Sequence, residues 1–468
     1  MSQSLNIAFV HPNLGIGGAE RLVVDSALSM QQRGHKVVIY TMHHDLAHCF
    51  EETRDGTLDV RVGGSWLVPQ SIFGHGHILC TVLRSLGLAR KLTMDREQYD
   101  VVFVDQLSAP IPLLKYAHAH ILFYCHFPDY LSATRGSLWR QIYRMPFDLL
   151  EEVTTGEADQ ILVNSRFTQE TFRKAFPHLS TVPKVLMPGL NLAAYDAPVQ
   201  AEDPALALLR THKKLVLSIN RFERKKDIDL GIRAFAQMPQ RGDACLVVAG
   251  GWDVQVPENT AYLRELDGLA RGLGLRTRTI APRGVSAQAY AQLPEDAERV
   301  TTFAEADASK DGSEADVVFL PSFSENQRAY LLSMARCVVY TPSNEHLGIV
   351  PLEAMYMRVP VVAVDSGGPR ETVQHTHTGY LCEPTPSDFA AAIAKVLNAS
   401  EEQRTAMGEA GRARVAASFG LDAYGAKLEE IIQDMQQYPQ TVSTVFGVVM
   451  TLFILLCSGT AILCATLF

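Results

Sequence analysis

Two glutamates, Glu345 and Glu353, stand with seven residues between them in the stretch PSNEHLGIVPLEAM, residues 342–355. An apolar run, CVVYT, precedes them and Gly348 lies between them, so a strand stops and a helix starts here. Such carboxylates can accept hydrogen bonds from a ligand's hydroxyls. They can equally be a solvated loop residue and a helix-opening residue, and the segment alone leaves both readings open. In INRFERKKDIDL a second strand ends at Asn220, and Arg221, Lys225 and Lys226 follow. Arginine offers a rigid fork to a phosphate and lysine a point charge; the alternative is a solvated basic loop. In HPNLGIGGAER, Gly15, Gly17 and Gly18 separate a strand end from a helical pattern. Glycine permits close backbone approach, and a helix start presents free N–H groups to an anion. Gly17 and Gly18 are adjacent, so this is no dinucleotide fingerprint, and a tight turn serves as well. DSGGPRET, 365–372, repeats the strand–glycine–helix sequence, and His126 in YCHFPD ends a predicted strand. The histidines of MHHD and HGH have no third ligand at a fixed spacing, so no metal site is expected.

Two series of apolar runs position these groups. NIAFVH, KVVIYTM, DVRV, DVVFVD, ILFYCH and QILVNS fill the first half; KLVLSIN, CLVVAGG, DVVFLP, CVVYTP, PVVAVDSGG and GYLC fill the second. They are continuous in Val, Ile and Leu rather than alternating, as strands buried on both faces of a parallel sheet are. Helical spacing lies between them. Each half therefore reads as a doubly wound, Rossmann-like α/β domain, with ligands expected beyond the carboxyl ends of its strands. Residues 1–200 form the first domain and 201–420 the second, with a linker near 188–210 and an acidic insertion at 293–316. A connecting helix is expected at 421–440. Two facing domains would make a cleft.

A chain of 468 residues exceeds one ordinary core. Its net charge of −9 argues against wholesale nucleic-acid binding, while the local basic clusters suit a small anion. The eight cysteines form no CxxC pair, which points to a reducing compartment. The start, MSQSLNIAFVHP, does not read as a secretory signal. After Asp434 no charged residue appears, and 441–468 is apolar almost throughout. As a helix this segment reaches roughly 40 Å, beyond a hydrocarbon core of about 30 Å, so a transmembrane anchor is expected. The apolar 66–92 and the aromatic, basic 135–150 read either as core helices or as surfaces against lipid headgroups.

In this order and spacing the motifs resemble the GT-B glycosyltransferases, and within them the retaining glycosyltransferase family 4. The resemblance spans roughly 5–420. It rests on the two glutamates, the Arg221/Lys226 pair, the 15–18 glycine loop and the GGP turn. GGAERLVVD, YCHFPD, INRFERKK and TPSNEHLGIVPLEAM also look like the mannosyltransferases that act on dolichol-linked oligosaccharides. The resemblance implies a GDP-mannose donor, no metal and no cofactor. It implies a dolichol-diphosphate-linked Man1GlcNAc2 acceptor, extended α-1,3 and then α-1,6. It also implies the endoplasmic reticulum membrane, with the catalytic domains facing the cytosol among other mannosyltransferases of the pathway. Carried over, Glu353 would hold the nucleotide ribose and Glu345 the transferring mannose. Arg221 and Lys226 would meet the diphosphate, and Gly17, Gly18 and Gly348 would bring backbone to the donor. His126 would sit by the mannose and acceptor. The family's small and aromatic residues after the first glutamate are here His346 and Leu347. An inactive membrane-tethered scaffold and a nucleotide-sugar epimerase are the rival readings.

Overall fold

In the computed structural model the apolar runs become strands, and alternate side chains of each enter opposite layers. The structure describes residues 4–64, 68–69, 71, 76–132, 138–198, 209, 214–281, 293–294, 315–443, 445 and 447. In β1 (Asn6–Asn13), Ile7 and Phe9 face one core layer with Val23 and Val24, while Ala8 and Val10 face the other with Leu88 and Leu92. This period of two is what a pleated strand imposes.

The chain folds as two units, 1–189 with 421–468, and 190–420. The first is built on a seven-stranded sheet ordered β3-β2-β1-β4-β5-β6-β7. Its other strands are β2 (Lys36–His43), β3 (Asp59–Val62), β4 (Val101–Asp105), β5 (His120–Cys125), β6 (Gln160–Val163) and β7 (Lys184–Val185). All its pairs are parallel, with Phe9 opposite both Ile39 and Phe103. Helices Gly18–Gln32 and His77–Met94 cover opposite faces of it.

The second unit holds a sheet ordered β10-β11-β9-β8-β12-β13-β14, again all parallel. Its strands are β8 (Lys214–Ile219), β9 (Ala244–Gly250), β10 (Thr277–Thr279), β11 (Val317–Pro321), β12 (Ala335–Tyr340), β13 (Val361–Val364) and β14 (Gly379–Cys382). Val216, Leu246, Phe319 and Val339 meet Phe235 and Phe389 in its core.

Two boundaries differ from the sequence reading. Residues 190–198 go with the second unit, not the first. The Leu190 N–H donates to the Phe419 carbonyl at 2.7 Å, and Asp196 accepts from Arg412 at 2.6 Å. The helix expected to be a connector, Leu421–Gln436, instead completes the first unit's core with Tyr424, Leu428, Ile431, Ile432 and Met435. The acidic insertion lies outside the described residues except at 293–294 and 315–316, as does the expected anchor except at 441–443, 445 and 447. Among the described residues no helix is long and apolar enough to cross a membrane.

Candidate active site

In the second unit β8 and β12 are neighbours, with Val216 opposite Cys337 and Leu217 opposite Val338. Their carboxyl ends therefore bring the loop carrying Arg221 and Lys226 beside the loop carrying Glu345. This is where doubly wound sheets place ligands. Thr341 Oγ1 donates to the Lys226 carbonyl at 2.8 Å, and Lys226 Nζ donates to Glu345 Oε2 at 2.5 Å. Arg221 is exposed and turns to Glu223 at 3.3 Å, which also receives Lys225 at 3.0 Å. The structure thus unites Lys226 with Glu345 and leaves Arg221 on the same loop, paired elsewhere.

The Glu345 loop is held by backbone. Asn344 adopts a left-handed conformation, φ 55°, which asparagine tolerates, and its N–H donates to Ser366 Oγ at 3.1 Å. The Gly368 N–H donates to the Glu345 carbonyl at 2.8 Å. A Cβ at Gly368 would stand 2.2 Å from the Leu347 oxygen. The DSGGPRET glycines thus support the glutamate loop, and the Gly368 amide is spent there rather than on a ligand. Gly348 has φ 78° and lies against the Tyr340 ring. Burial first, and then the charge of Glu345, push the Tyr340 phenol well up, so it remains a neutral donor.

Glu353 is buried on the helix Ile349–Tyr356. Its Oε1 accepts from Tyr195 Oη at 2.7 Å and from Arg328 Nη1 at 2.9 Å. Its Oε2 is sealed and has no hydrogen-bond partner among the described residues. Burial, then Glu353, raise the Tyr195 phenol far above its ordinary value. For Arg328, burial opposes the charge, and Glu353, Glu325 and Tyr195 outweigh it. Sequence reasoning missed Tyr195 and Arg328. One sits in the presumed linker and the other in a short helix, Glu325–Met334, and neither carries a motif.

In the first unit, Gly17 precedes the helix Gly18–Gln32, which has no side-chain cap at its start. Gly17 is extended, at φ −169°, and a Cβ on it would meet only the flexible end of Glu20. No strained backbone therefore demands these glycines. His126 follows β5, and Asp105 ends its neighbour β4. His126 Nε2 lies 2.8 Å from Asp105 Oδ1, and His11 Nδ1, on β1, lies 2.8 Å from Asp105 Oδ2. Burial opposes the Asp105 charge, yet His126 and the two hydrogen bonds hold the carboxyl below its usual range. Burial likewise opposes a charge on His126, and Asp105, with a further contribution from Glu20, raises it. The sequence reading gave neither Asp105 nor His11 a site role, although each ends a predicted strand. Among the described residues no cluster of three His, Cys, Asp or Glu side chains is arranged for a metal ion.

Known proteins share both the sequence and the fold. Residues 16–192 match the model for Glycosyltransferase Family 4, and 301–414 match Glycosyl transferases group 1. The α-1,3/1,6-mannosyltransferase ALG2 of Rhizomucor pusillus is 47% identical over 93% of each chain. Its human counterpart is 42% identical over 90% of this chain and 94% of its own. This chain belongs to the α-1,3/1,6-mannosyltransferase family. The Saccharomyces cerevisiae member is 38% identical, over 96% of this chain and 89% of that one. Among solved structures, the sucrose-phosphate synthase of Thermosynechococcus elongatus superposes with a TM-score of 0.64 at 20% identity, over 92% of this chain and 99% of that one. WaaG, a glycosyltransferase of lipopolysaccharide biosynthesis, gives 0.60 at 18%, over 91% and 99%. These likenesses support the GT-B architecture of two Rossmann-like units, and membership of the family makes the chain a glycosyltransferase.

Proposed function

We propose that this chain moves mannose from GDP-mannose to dolichol-diphosphate-linked Man1GlcNAc2, first α-1,3 and then α-1,6, with retention, building the lipid-linked precursor of protein N-glycosylation. The observation that carries the reading is the Lys226–Glu345 pair at the carboxyl ends of β8 and β12, with buried Glu353 on the helix that follows. Departure of GDP builds negative charge on the diphosphate. Fixed cations such as Lys226 and Arg221 therefore gain more in the transition state than in the ground state. Glu353 is assigned to the ribose hydroxyls, and Glu345 to the mannose. Gly348, with Gly17 and Gly18, lets backbone approach the donor, and His126 serves the acceptor side. With charge supplied by side chains, transfer needs no resident metal or cofactor, and a chelator should leave the rate unchanged. The apolar 441–468 would tether the chain to the endoplasmic reticulum membrane, domains in the cytosol, beside other mannosyltransferases of the pathway.

The deciding experiment incubates purified full-length protein with GDP-mannose and a lipid-linked trisaccharide, then maps the linkages. Sequential α-1,3 and α-1,6 products are expected. Folded protein that transfers nothing would overturn the reading in favour of a scaffold.

A further inference from the structure

Asp105 spends one oxygen on each of two histidines, and that geometry constrains their protons. An ionised carboxylate only accepts, so the nitrogens facing it must both carry hydrogen: Nδ1–H on His11 and Nε2–H on His126. His11 and Asp105 are buried completely, whereas the His126 side chain is 23% exposed. The three residues lie across neighbouring strands, β1, β4 and the end of β5, so the sheet itself fixes their spacing. The His126 carbonyl accepts from Asn164 Nδ2 at 3.0 Å, and its ring lies 4.9 Å from that of Tyr124, which fixes the histidine from two further sides. The other ring nitrogen, Nδ1, makes no hydrogen bond to a described residue, and the ring is partly exposed. Its protonation decides the chemistry. A bare Nδ1 would be a general base, and a protonated one is a hydrogen-bond donor.

We propose that Asp105, braced by His11, is a positioning residue that holds His126 as an imidazolium, with Nε2–H on Asp105 and Nδ1–H presented to an oxygen of the sugar or diphosphate substrate. The inference rests on the reading of His126 as a site residue in mannosyl transfer. The charged groups facing His126 are Asp105 from β4 and Glu20 from the first turn of Gly18–Gln32; both are acidic, and His11 reaches it only through Asp105. A cation so flanked donates to charge that develops on a substrate oxygen and removes no proton. The sign follows. The donor exists below the raised His126 pKa and is lost as pH rises through it, so transfer declines on the alkaline side.

The test is the pH profile of kcat/KM for mannosyl transfer by the full-length enzyme, wild type against Asp105→Asn. Asparagine keeps the shape, removes the charge and can itself donate toward Nε2. The alkaline limb should move to lower pH by about one unit or more, the scale set by loss of a neighbouring opposite charge. KM for GDP-mannose should stay within about twofold, since the group acts on the reacting oxygens. An unmoved limb in folded Asp105→Asn overturns the proposal and leaves the mannosyltransferase reading intact. If the wild type transfers no mannose, or Asp105→Asn does not fold, ¹⁵N-histidine NMR of the wild type decides. The His126 resonance, assigned by its loss in His126→Gln, should titrate above the free-imidazole value of about 6.5. Titration at or below that value overturns it.

Discussion

Glu353 carries two donors on one oxygen and none on the other, and this asymmetry makes Tyr195 testable. Loss of the Tyr195 hydroxyl leaves only Arg328 to orient the carboxylate. A hydrogen bond to a charged group contributes about 1.5–3 kcal/mol, so Tyr195→Phe should weaken GDP-mannose binding by roughly tenfold or more in calorimetry. Unchanged affinity would show that Tyr195 only packs. Glu345 gives the opposite pattern. It neutralises Lys226 at 2.5 Å, so Glu345→Gln leaves the lysine free for a diphosphate while removing the group assigned to the mannose. Turnover should fall by about a hundredfold, the scale of losing one transition-state contact, with GDP affinity equal or tighter. A matching loss of affinity would place Glu345 in donor binding instead. The strand-to-helix turn around the two glutamates was legible in their spacing, whereas their site roles came only from the family resemblance. Tyr195 was not legible, because a side chain 158 residues away in sequence meets Glu353 only through the tertiary fold.

Elements then fix where these side chains stand. The turn at Gly367 and Gly368 is packed backbone to backbone on the Glu345 loop, and at Gly367, φ 59°, the chain also needs a left-handed residue. Gly368→Ala cannot be relieved by a side-chain swing, because its Cβ would meet a carbonyl at 2.2 Å. Overpacking of this kind costs about 1–3 kcal/mol, so a drop of several degrees in melting temperature is expected. Transfer should fall further than stability does as Glu345 shifts. In the first unit, Glu151 accepts from the Asp129 and Tyr130 amides at 2.8 and 3.0 Å, just beyond His126. Burial pushes its carboxyl up to about 7. A carboxyl raised above its unfolded value of about 4.3 is protonated preferentially in the folded state, so its contribution to stability declines as pH rises through that window. Glutamine cannot titrate and provides one carbonyl acceptor. Glu151→Gln should therefore start less stable near pH 5, with a flatter melting-temperature profile to about pH 7. A profile parallel to wild type would exclude the carboxyl as the source. Strands such as VVFVD and CLVVAG were readable because burial on both faces leaves them uninterrupted apolar. The edge strands Lys184–Val185 and Thr277–Thr279 were not, being too short and too polar to show a period.

At the scale of the whole molecule, the sequence reading located two sheets but misassigned the segment that closes the first. The helix Leu421–Gln436 shows an apolar stripe, and such a stripe says that a face is buried without saying against which sheet. The structure supplies the partner. Tyr424 Oη lies 2.6 Å from Ser26 Oγ, Arg33 pairs with Glu429 at 3.1 Å, and Tyr424, Leu428, Ile431, Ile432 and Met435 enter the core that holds Ile7, Phe9 and Val23. Burial of a large apolar side chain is worth about 1.5–3 kcal/mol, so five together contribute roughly 7–15 kcal/mol, as much as the net stability of a whole domain. The first unit therefore cannot be a contiguous N-terminal domain. A fragment of residues 1–189 should be aggregated or molten, without a cooperative thermal transition. The same fragment joined through a short flexible linker to residues 421–443 should regain one, and Tyr424→Ala with Ile431→Ala in that fusion should abolish it again. Cooperative unfolding of 1–189 alone, in calorimetry, would show that the helix merely decorates a finished core. A cooperative fusion would show that the first unit folds only once the helix that follows the second unit in sequence has joined it, and that the second unit itself is not needed.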